Sequence, residues 1–352
     1  MEKELRRLAE VISTAAADRS PLRLRGGGTK DFYGARLDGK VLDTRGYHGV
    51  VNYEPSELVV TARAGTPLVQ LEKTLAERGQ MLAFEPPHFG QGATVGGCVA
   101  AGLSGPRRAS AGSVRDFILG VRLLDGRGQD LHFGGEVMKN VAGYDLSRLV
   151  TGSLGTLGLL LEVSFKVLPV PKTEATLRFE MDERGAIEKM NEWAGRPLPI
   201  SASCYHDGRL SVRLSGAEAG VRAAREKLGG EALADGPAFW SSLREQTLEA
   251  LRGPEPLWRI SLRPSTPPLG LPGRQVMEWN GALRWVASPA PAQQIRDAAA
   301  KGGGHATLFR SHDKAASVFH PLPKAMFDLH LRLKRTFDPA GIFNPGRMYE
   351  GF

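Results

Sequence analysis

Apolar residues repeat along this chain with two different periods, and the changes of period mark its elements. Leu5, Leu8, Ala9 and Ile12 share one face of an opening helix that ends before Pro21. Short strands are expected at 22–25, 40–43 and 58–64. In TPLVQLEKTLAERG, Leu68, Leu71 and Leu75 form a helical stripe, with Thr66 and Pro67 as start signals and Gly79 as the stop. Two apolar runs around Asp125-Gly126-Arg127-Gly128 predict a hairpin, and a buried strand leads from the glycines of TGSLGTLG to Pro169 and Pro171.

That proline-bounded exit divides the chain. Beyond it, strands are expected at 176–181, 258–262, 282–286 and 305–309, helices at 186–193, 217–228 and 292–300, and a hairpin at His206-Asp207-Gly208. The rest of 229–273 is irregular. The mixture predicts an antiparallel sheet with helices on one face, hence an α+β class.

Composition narrows the class further. A chain of 352 residues, 41% of them hydrophobic, can build ordinary buried cores. No apolar run reaches the ~18 residues of a membrane span, and the N-terminus carries acids among its bases where a signal peptide would be apolar. A cytoplasmic protein is expected. Two cysteines, Cys98 and Cys204, offer neither a disulfide framework nor a metal cluster, so no iron–sulfur or zinc chemistry is expected within the chain. The net charge of +8 is spread among acids, with 7% aromatic residues and no basic block, which argues against nucleic acid. An anionic lipid surface or an acidic protein partner stays open.

The candidate chemistry lies where small residues gather. In LRLRGGGTK, residues 22–30, a strand feeds bare backbone next to Lys30, which suggests an anion cradle over a plain turn. EPPHFGQGATVGGCVAAGLSGPRR, residues 85–108, is too rich in small residues for a normal core. Thr94 can cap a short helix there, whose Gly96, Gly97, Ala100 and Ala101 let a backbone or a flat ligand come close. A Rossmann fingerprint fails, because Asp31 stands where its third glycine belongs and no apolar helix follows, despite Asp43 at the place of a ribose ligand. A P-loop fails too, since no Ser or Thr follows a Gly-Lys pair.

Taken in order, RGGGTK, EPPHFGQGATVGGCVAAGLSGPRR, GSVRDFILGVRLLDGRG, KNVAGYDLSRLVTGSLGTLG and FDPAGIFNPGRM resemble the FAD-linked oxidases of the vanillyl-alcohol oxidase superfamily over almost the whole chain. Within that superfamily the sequence resembles the FAD-binding subunits of bacterial glycolate-oxidising complexes. The resemblance implies a PCMH-type FAD-binding domain of two subdomains (1–170), an α+β cap domain (171–335) and a C-terminal segment (336–352) returning to the flavin. It implies that amides of Gly26, Gly27, Gly28 and Thr29 bind the FAD pyrophosphate, with Lys30 as a nearby cation. Pro86, Thr94, Gly96 and Gly97 would adjoin the phosphates or the ring; Ser113, Arg115 and Asp116 would lie near the ribose and adenine; Gly155, Thr156 and Gly158 would complete the opposite wall. A structural ion pair is an equal reading of Arg115 and Asp116. Thr29 occupies the place where covalently flavinylated members often carry histidine, so noncovalent FAD is expected.

Oxidation of a 2-hydroxy acid needs a cation for the carboxylate, a base for the hydroxyl proton and the C2 hydrogen aimed at the flavin. Related subunits commonly carry a cap histidine cluster that helps bind a metal; GGGHATLFRSHDK offers His305 and His312, an incomplete set, and no metal is expected. The resemblance puts Asn344 and Arg347 beside the isoalloxazine, Arg347 as carboxylate partner or, more plainly, in a C-terminal salt bridge. The role implied is an FAD subunit acting with a larger flavin subunit and an iron–sulfur subunit, electrons passing on to quinone. Such a complex would sit in the cytoplasm or peripherally on the inner face of the cell membrane. A self-sufficient dehydrogenase for D-lactate or another 2-hydroxy acid, and an assembly subunit with a structural flavin, both stay open.

Overall fold

The computed structural model describes residues 1–135, 145–313 and 317–352; the 139–144 part of the KNVAGY motif lies outside the described residues. Helix Glu2–Asp18 buries Leu8 and Ile12 of the stripe read from the sequence, together with Ala15, and leaves Leu5 and Ala9 half-buried. It shares a core with a parallel strand pair, Leu22–Arg25 beside Lys40–Asp43, and with Ile342 and Phe343 from the far end of the chain. The first and last segments therefore fold as one unit: Leu22 bridges Phe343, and the Asn344 amide donates to the Leu22 carbonyl (2.9 Å).

Five antiparallel strands form the second sheet, in the order Val50–Glu54, Val59–Arg63, Leu159–Lys166, Ile118–Leu124 and Asp130–Gly134. The expected hairpin is present. Leu124 pairs with Asp130, and Asp125 Oδ1 accepts the amides of Arg127 (2.8 Å) and Gln129 (2.9 Å), closing the turn. Helix Leu68–Ala76 buries Leu68, Leu71 and Leu75 against this sheet. Its start differs from the reading above: Thr66 does not cap it, because its Oγ1 accepts the Gly49 amide (2.8 Å) instead.

Among the described residues a third sheet has eight strands, all of whose pairings are antiparallel, in the order Glu231–Ala232, Thr173–Glu180, Arg209–Gly216, Ile200–His206, Arg274–Glu278, Leu283–Ala287, Leu257–Ser261 and His305–Arg310. Strand alternation divides its two faces. Val286 and Leu308 pack with Ile295 and Ala299 of helix Ala292–Lys301, whereas their neighbours Trp285 and Phe309 point to a seam with Tyr33, Ala101 and Leu103 of the first half. A second part of the seam is ionic: Glu85 holds both Arg107 and Arg213, and Arg107 also reaches Glu174. Strands Val50–Glu54 and Arg274–Glu278 and helices Gly236–Arg244 and Lys324–Phe337 are among the additions to the elements expected from sequence.

Candidate cofactor site

Strand Leu22–Arg25 delivers the three glycines to the rim of a groove whose floor is helix Val95–Ala101. Thr94 caps this helix as expected, its Oγ1 accepting the Gly97 amide (3.2 Å). The glycine backbone is stripped for a structural reason as well as a chemical one. A Cβ at Gly27 would stand 1.5 Å from the Gly92 carbonyl oxygen, one at Gly26 would stand 2.3 Å from Thr94 Oγ1, and Gly28 takes φ +73°. The loop is thus pressed against the 90–94 turn with no room for side chains between them.

Two adjoining cavities, of about 90 and 70 Å³, run along this loop. Gly26, Gly97, Asn344 and the small side chain of Ala100 line both, Thr94 lines the first, and Gly96, Gly155 and Gly158 line the second. The first cavity is strongly cationic: among the described residues Arg23, Arg25, Lys30 and Arg347 line it with one carboxylate, Asp31. The sequence places Arg23 and Arg25 in the expected strand 22–25 and assigns them no part in the site. The alternation LRLR looks like any half-buried edge, and it is Asp31, engaging both guanidiniums, that gathers them at the groove.

The remaining expected residues separate into braces and bystanders. Asn344, with φ 42°, accepts the Leu24 amide at Oδ1 (2.8 Å) and donates from Nδ2 to the Leu154 carbonyl (2.6 Å), tying the two walls together. Arg347 is buried, and its Nη atoms donate to the carbonyls of Lys30, Asp31, Ala35 and Arg36 at 3.1–3.4 Å. Burial lowers its pKa to about 10. These contacts make Arg347 a staple for the turn after the glycines, so the geometry favours bracing over the carboxylate binding expected of it. Lys30 Nζ donates to the His88 carbonyl (3.2 Å) beside the Phe89 ring, and burial lowers its pKa.

Thr156 lies behind the wall, fully buried, with its hydroxyl on the Ser153 carbonyl (2.7 Å). Pro86 is buried in the segment leading to the turn and does not line either cavity. Ser113 and Asp116 cap the one-turn helix Val114–Phe117 reciprocally, and Arg115 reaches the Thr151 carbonyl (3.4 Å). None of the three lines the groove, and the Arg115–Asp116 pair is replaced by these separate contacts. His305 begins the edge strand of the eight-stranded sheet, exposed, its ring centroid 6.4 Å from that of His320. Among the described residues no three His, Cys, Asp or Glu side chains meet as a metal site.

A brace that the sequence reading missed stands behind the groove. Lys334, on the last helix, is buried and donates to Asp338 Oδ2 (2.7 Å) and to the carbonyls of Thr156 and Phe343 (2.8 Å each). Asp338 in turn accepts the amides of Ile342 (3.0 Å) and Phe343 (2.7 Å). The i,i+4 spacing was visible in LKRTFD; that the pair would be buried was not.

Fold and groove together define an FAD-binding domain, and the family model described by that name matches residues 3–134. The bare backbone, the cationic lining and the floor of small residues suit an anionic, partly flat cofactor such as FAD in kind. Across 97% of this chain and 96% of the other, it is 52% identical to the glycolate oxidase subunit GlcE of Escherichia coli (strain K12). The chain belongs to the family of that subunit. It is also 28% identical to the glycolate oxidase subunit GlcD of Bacillus subtilis (strain 168), over 48% of this chain and 36% of that protein. A D-lactate dehydrogenase of Archaeoglobus fulgidus is 32% identical over 55% of this chain and 44% of its own. Among solved structures, an alkyldihydroxyacetonephosphate synthase superposes with a TM-score of 0.65 at 17% identity, covering 96% of this chain and 74% of the other, which supports the fold alone. Among the described residues no helix is long and apolar enough to cross a membrane.

Proposed function

We propose that this chain is the FAD-binding subunit of a glycolate-oxidising complex, taking part in the conversion of glycolate to glyoxylate beside a larger flavin subunit. Electrons would pass to an iron–sulfur subunit and then to quinone, with the assembly resting peripherally on the inner face of the cell membrane. The observation that carries the reading is the match in identity along almost the full length to a protein named a glycolate oxidase subunit. FAD, when bound, supplies the acceptor for the hydride leaving C2 of the hydroxy acid.

This chain's residues would do the holding. Amides of Gly26, Gly27, Gly28 and Thr29 would take the diphosphate, the neighbouring guanidiniums would offset its charge, and Asn344 would keep the two walls in register. Because the cavities are small, side chains at their mouth would have to move aside on binding. With Thr29 after the glycines, the flavin would be held without a covalent bond.

A second reading is favoured by the seam between cap and FAD domain. Phe32, Phe89 and Phe309 pack there with ring centroids 5.4–6.2 Å apart, and the cavity that Phe89 and Phe309 border is about 20 Å³, the size of one water rather than a hydroxy acid. A flavin that serves assembly or electron relay, with turnover elsewhere in the complex, accommodates that packing. Anaerobic spectroscopy separates the two. Flavin in the isolated chain that bleaches on adding glycolate supports turnover here; flavin that bleaches only after the partner subunits are added assigns turnover to the complex.

A further inference from the structure

Arg25 stands in a place that its own loop leaves for something else. Its guanidinium lies directly over Gly28, so close that a Cβ there would be 2.1 Å from Nη2. It lines both cavities of the groove, and its Nε donates to Asp31 Oδ2 (2.9 Å), which also engages Arg23. One carboxylate therefore holds two guanidiniums, leaving the trio with net positive charge at the mouth of the cradle. The side chains of Arg25 and Asp31 are 37% and 30% exposed, so the arginine can swing without unpacking a core.

We propose that Arg25 is a cofactor-phosphate ligand held in reserve by Asp31, and that Asp31 sets how tightly the dinucleotide is retained. The inference rests on the FAD-binding reading above and adds a residue-level claim to it. An incoming diphosphate carries more charge than a carboxylate and offers oxygens on both phosphates, so it outcompetes Asp31 for the Arg25 fork. The guanidinium then swings from the side of Gly28 toward the phosphates. Asp31 stays close, still paired with Arg23, and its negative charge opposes the phosphates. Two substitutions in the same ion pair thus act in opposite directions, an outcome that loss of a merely structural pair does not produce.

The test is a titration of the full-length chain, stripped of flavin and shown to be folded by circular dichroism, with FAD followed by flavin fluorescence, repeated at several salt concentrations and in competition with inorganic pyrophosphate. Arg25→Met weakens FAD binding about tenfold or more and flattens its salt dependence, whereas Arg25→Lys recovers part of the loss. Asp31→Asn tightens binding roughly three- to tenfold, and inorganic pyrophosphate competes better against it. If the wild-type chain takes up no FAD, the cofactor reading falls and this inference with it. If the wild type binds and Arg25→Met binds equally well, Arg25 is packing and the inference alone is overturned. Weaker binding by Asp31→Asn makes Asp31 a loop brace and refutes the reserve.

Discussion

Gly27→Ala tests whether close approach of two backbones, rather than a free glycine turn, builds the cradle. The added methyl would lie 1.5 Å from the Gly92 oxygen and 2.3 Å from its carbonyl carbon. Against a normal contact of ~3.5 Å, one of the two loops has to retreat by roughly 2 Å. Strain of this kind costs about 1–3 kcal/mol of stability. The larger effect falls on the ligand: a displacement of that size takes an amide out of hydrogen-bonding range, and each charge-assisted bond lost is worth about 1.5–3 kcal/mol. Losing two such donors weakens FAD binding on the order of 10²- to 10⁴-fold. Gly92→Ala is the control, since its Cβ meets the same loop at 3.3 Å from the Gly27 oxygen and needs only a small adjustment. The assay is flavin absorbance per folded chain after reconstitution and desalting. Gly27→Ala should emerge colourless and Gly92→Ala yellow; equal flavin content in the two variants would refute the geometry.

Three further outcomes are expected. Burial pushes the Glu278 carboxyl, which accepts Trp285 Nε1 (2.7 Å), up to about 7, so the folded chain holds an extra proton between 4.5 and 7. Stability is then greatest at the acid end of that window and falls by about 3 kcal/mol as pH rises through it; Glu278→Gln should remove the slope, read from urea midpoints at pH 5 and pH 8. Lys334→Met leaves Asp338 and two buried carbonyls without their cation and should cost about 3–5 kcal/mol in denaturant melts, an unchanged midpoint showing that the pair braces nothing. Asn344→Ala removes the tie between Leu24 and Leu154 and should cost about 1–3 kcal/mol while lowering FAD affinity, with normal affinity confining Asn344 to the fold.

Much of the fold was legible because local signals and tertiary contacts agree. Leu68, Leu71 and Leu75 form a helical stripe in the sequence and the buried face of the helix in the structure. Asp125-Gly126-Arg127-Gly128 is a turn by residue type, and its carboxylate closes it. Elements were missed where tertiary contact does the stabilising. Helix Lys324–Phe337 opens at Pro323 without a side-chain cap, and its apolar stripe of Met326, Leu329, Leu333 and Phe337 was passed over in the sequence; the fold buries only Lys334 and Phe337 and leaves Met326 and Leu329 exposed. Strand Val50–Glu54 is an edge whose residues are exposed or half-buried, and strand Arg274–Glu278 follows an irregular approach through a run of prolines and glycines.

At the site, glycine spacing recorded backbone proximity faithfully but said little about ligand chemistry. Gly26 and Gly27 abut Thr94 and Gly92, Gly96 abuts Ala64, and Gly155 faces Asn344, so each small residue marks a place where two segments touch. Segments far apart in sequence had to leave complementary gaps, which is why the motifs were readable in order across the chain. Cations carry no such signature: Arg23 and Arg25 look like solvent-facing strand residues until the turn brings Asp31 back between them, and Arg347 looks available until the carbonyls of residues 30–36 surround it. Of these guanidiniums, Arg347 is buried on backbone acceptors, whereas Arg25 is partly exposed and bound to a carboxylate that a phosphate can displace. Burial and partner, rather than charge or proximity to a motif, decide which cation is free to meet a ligand.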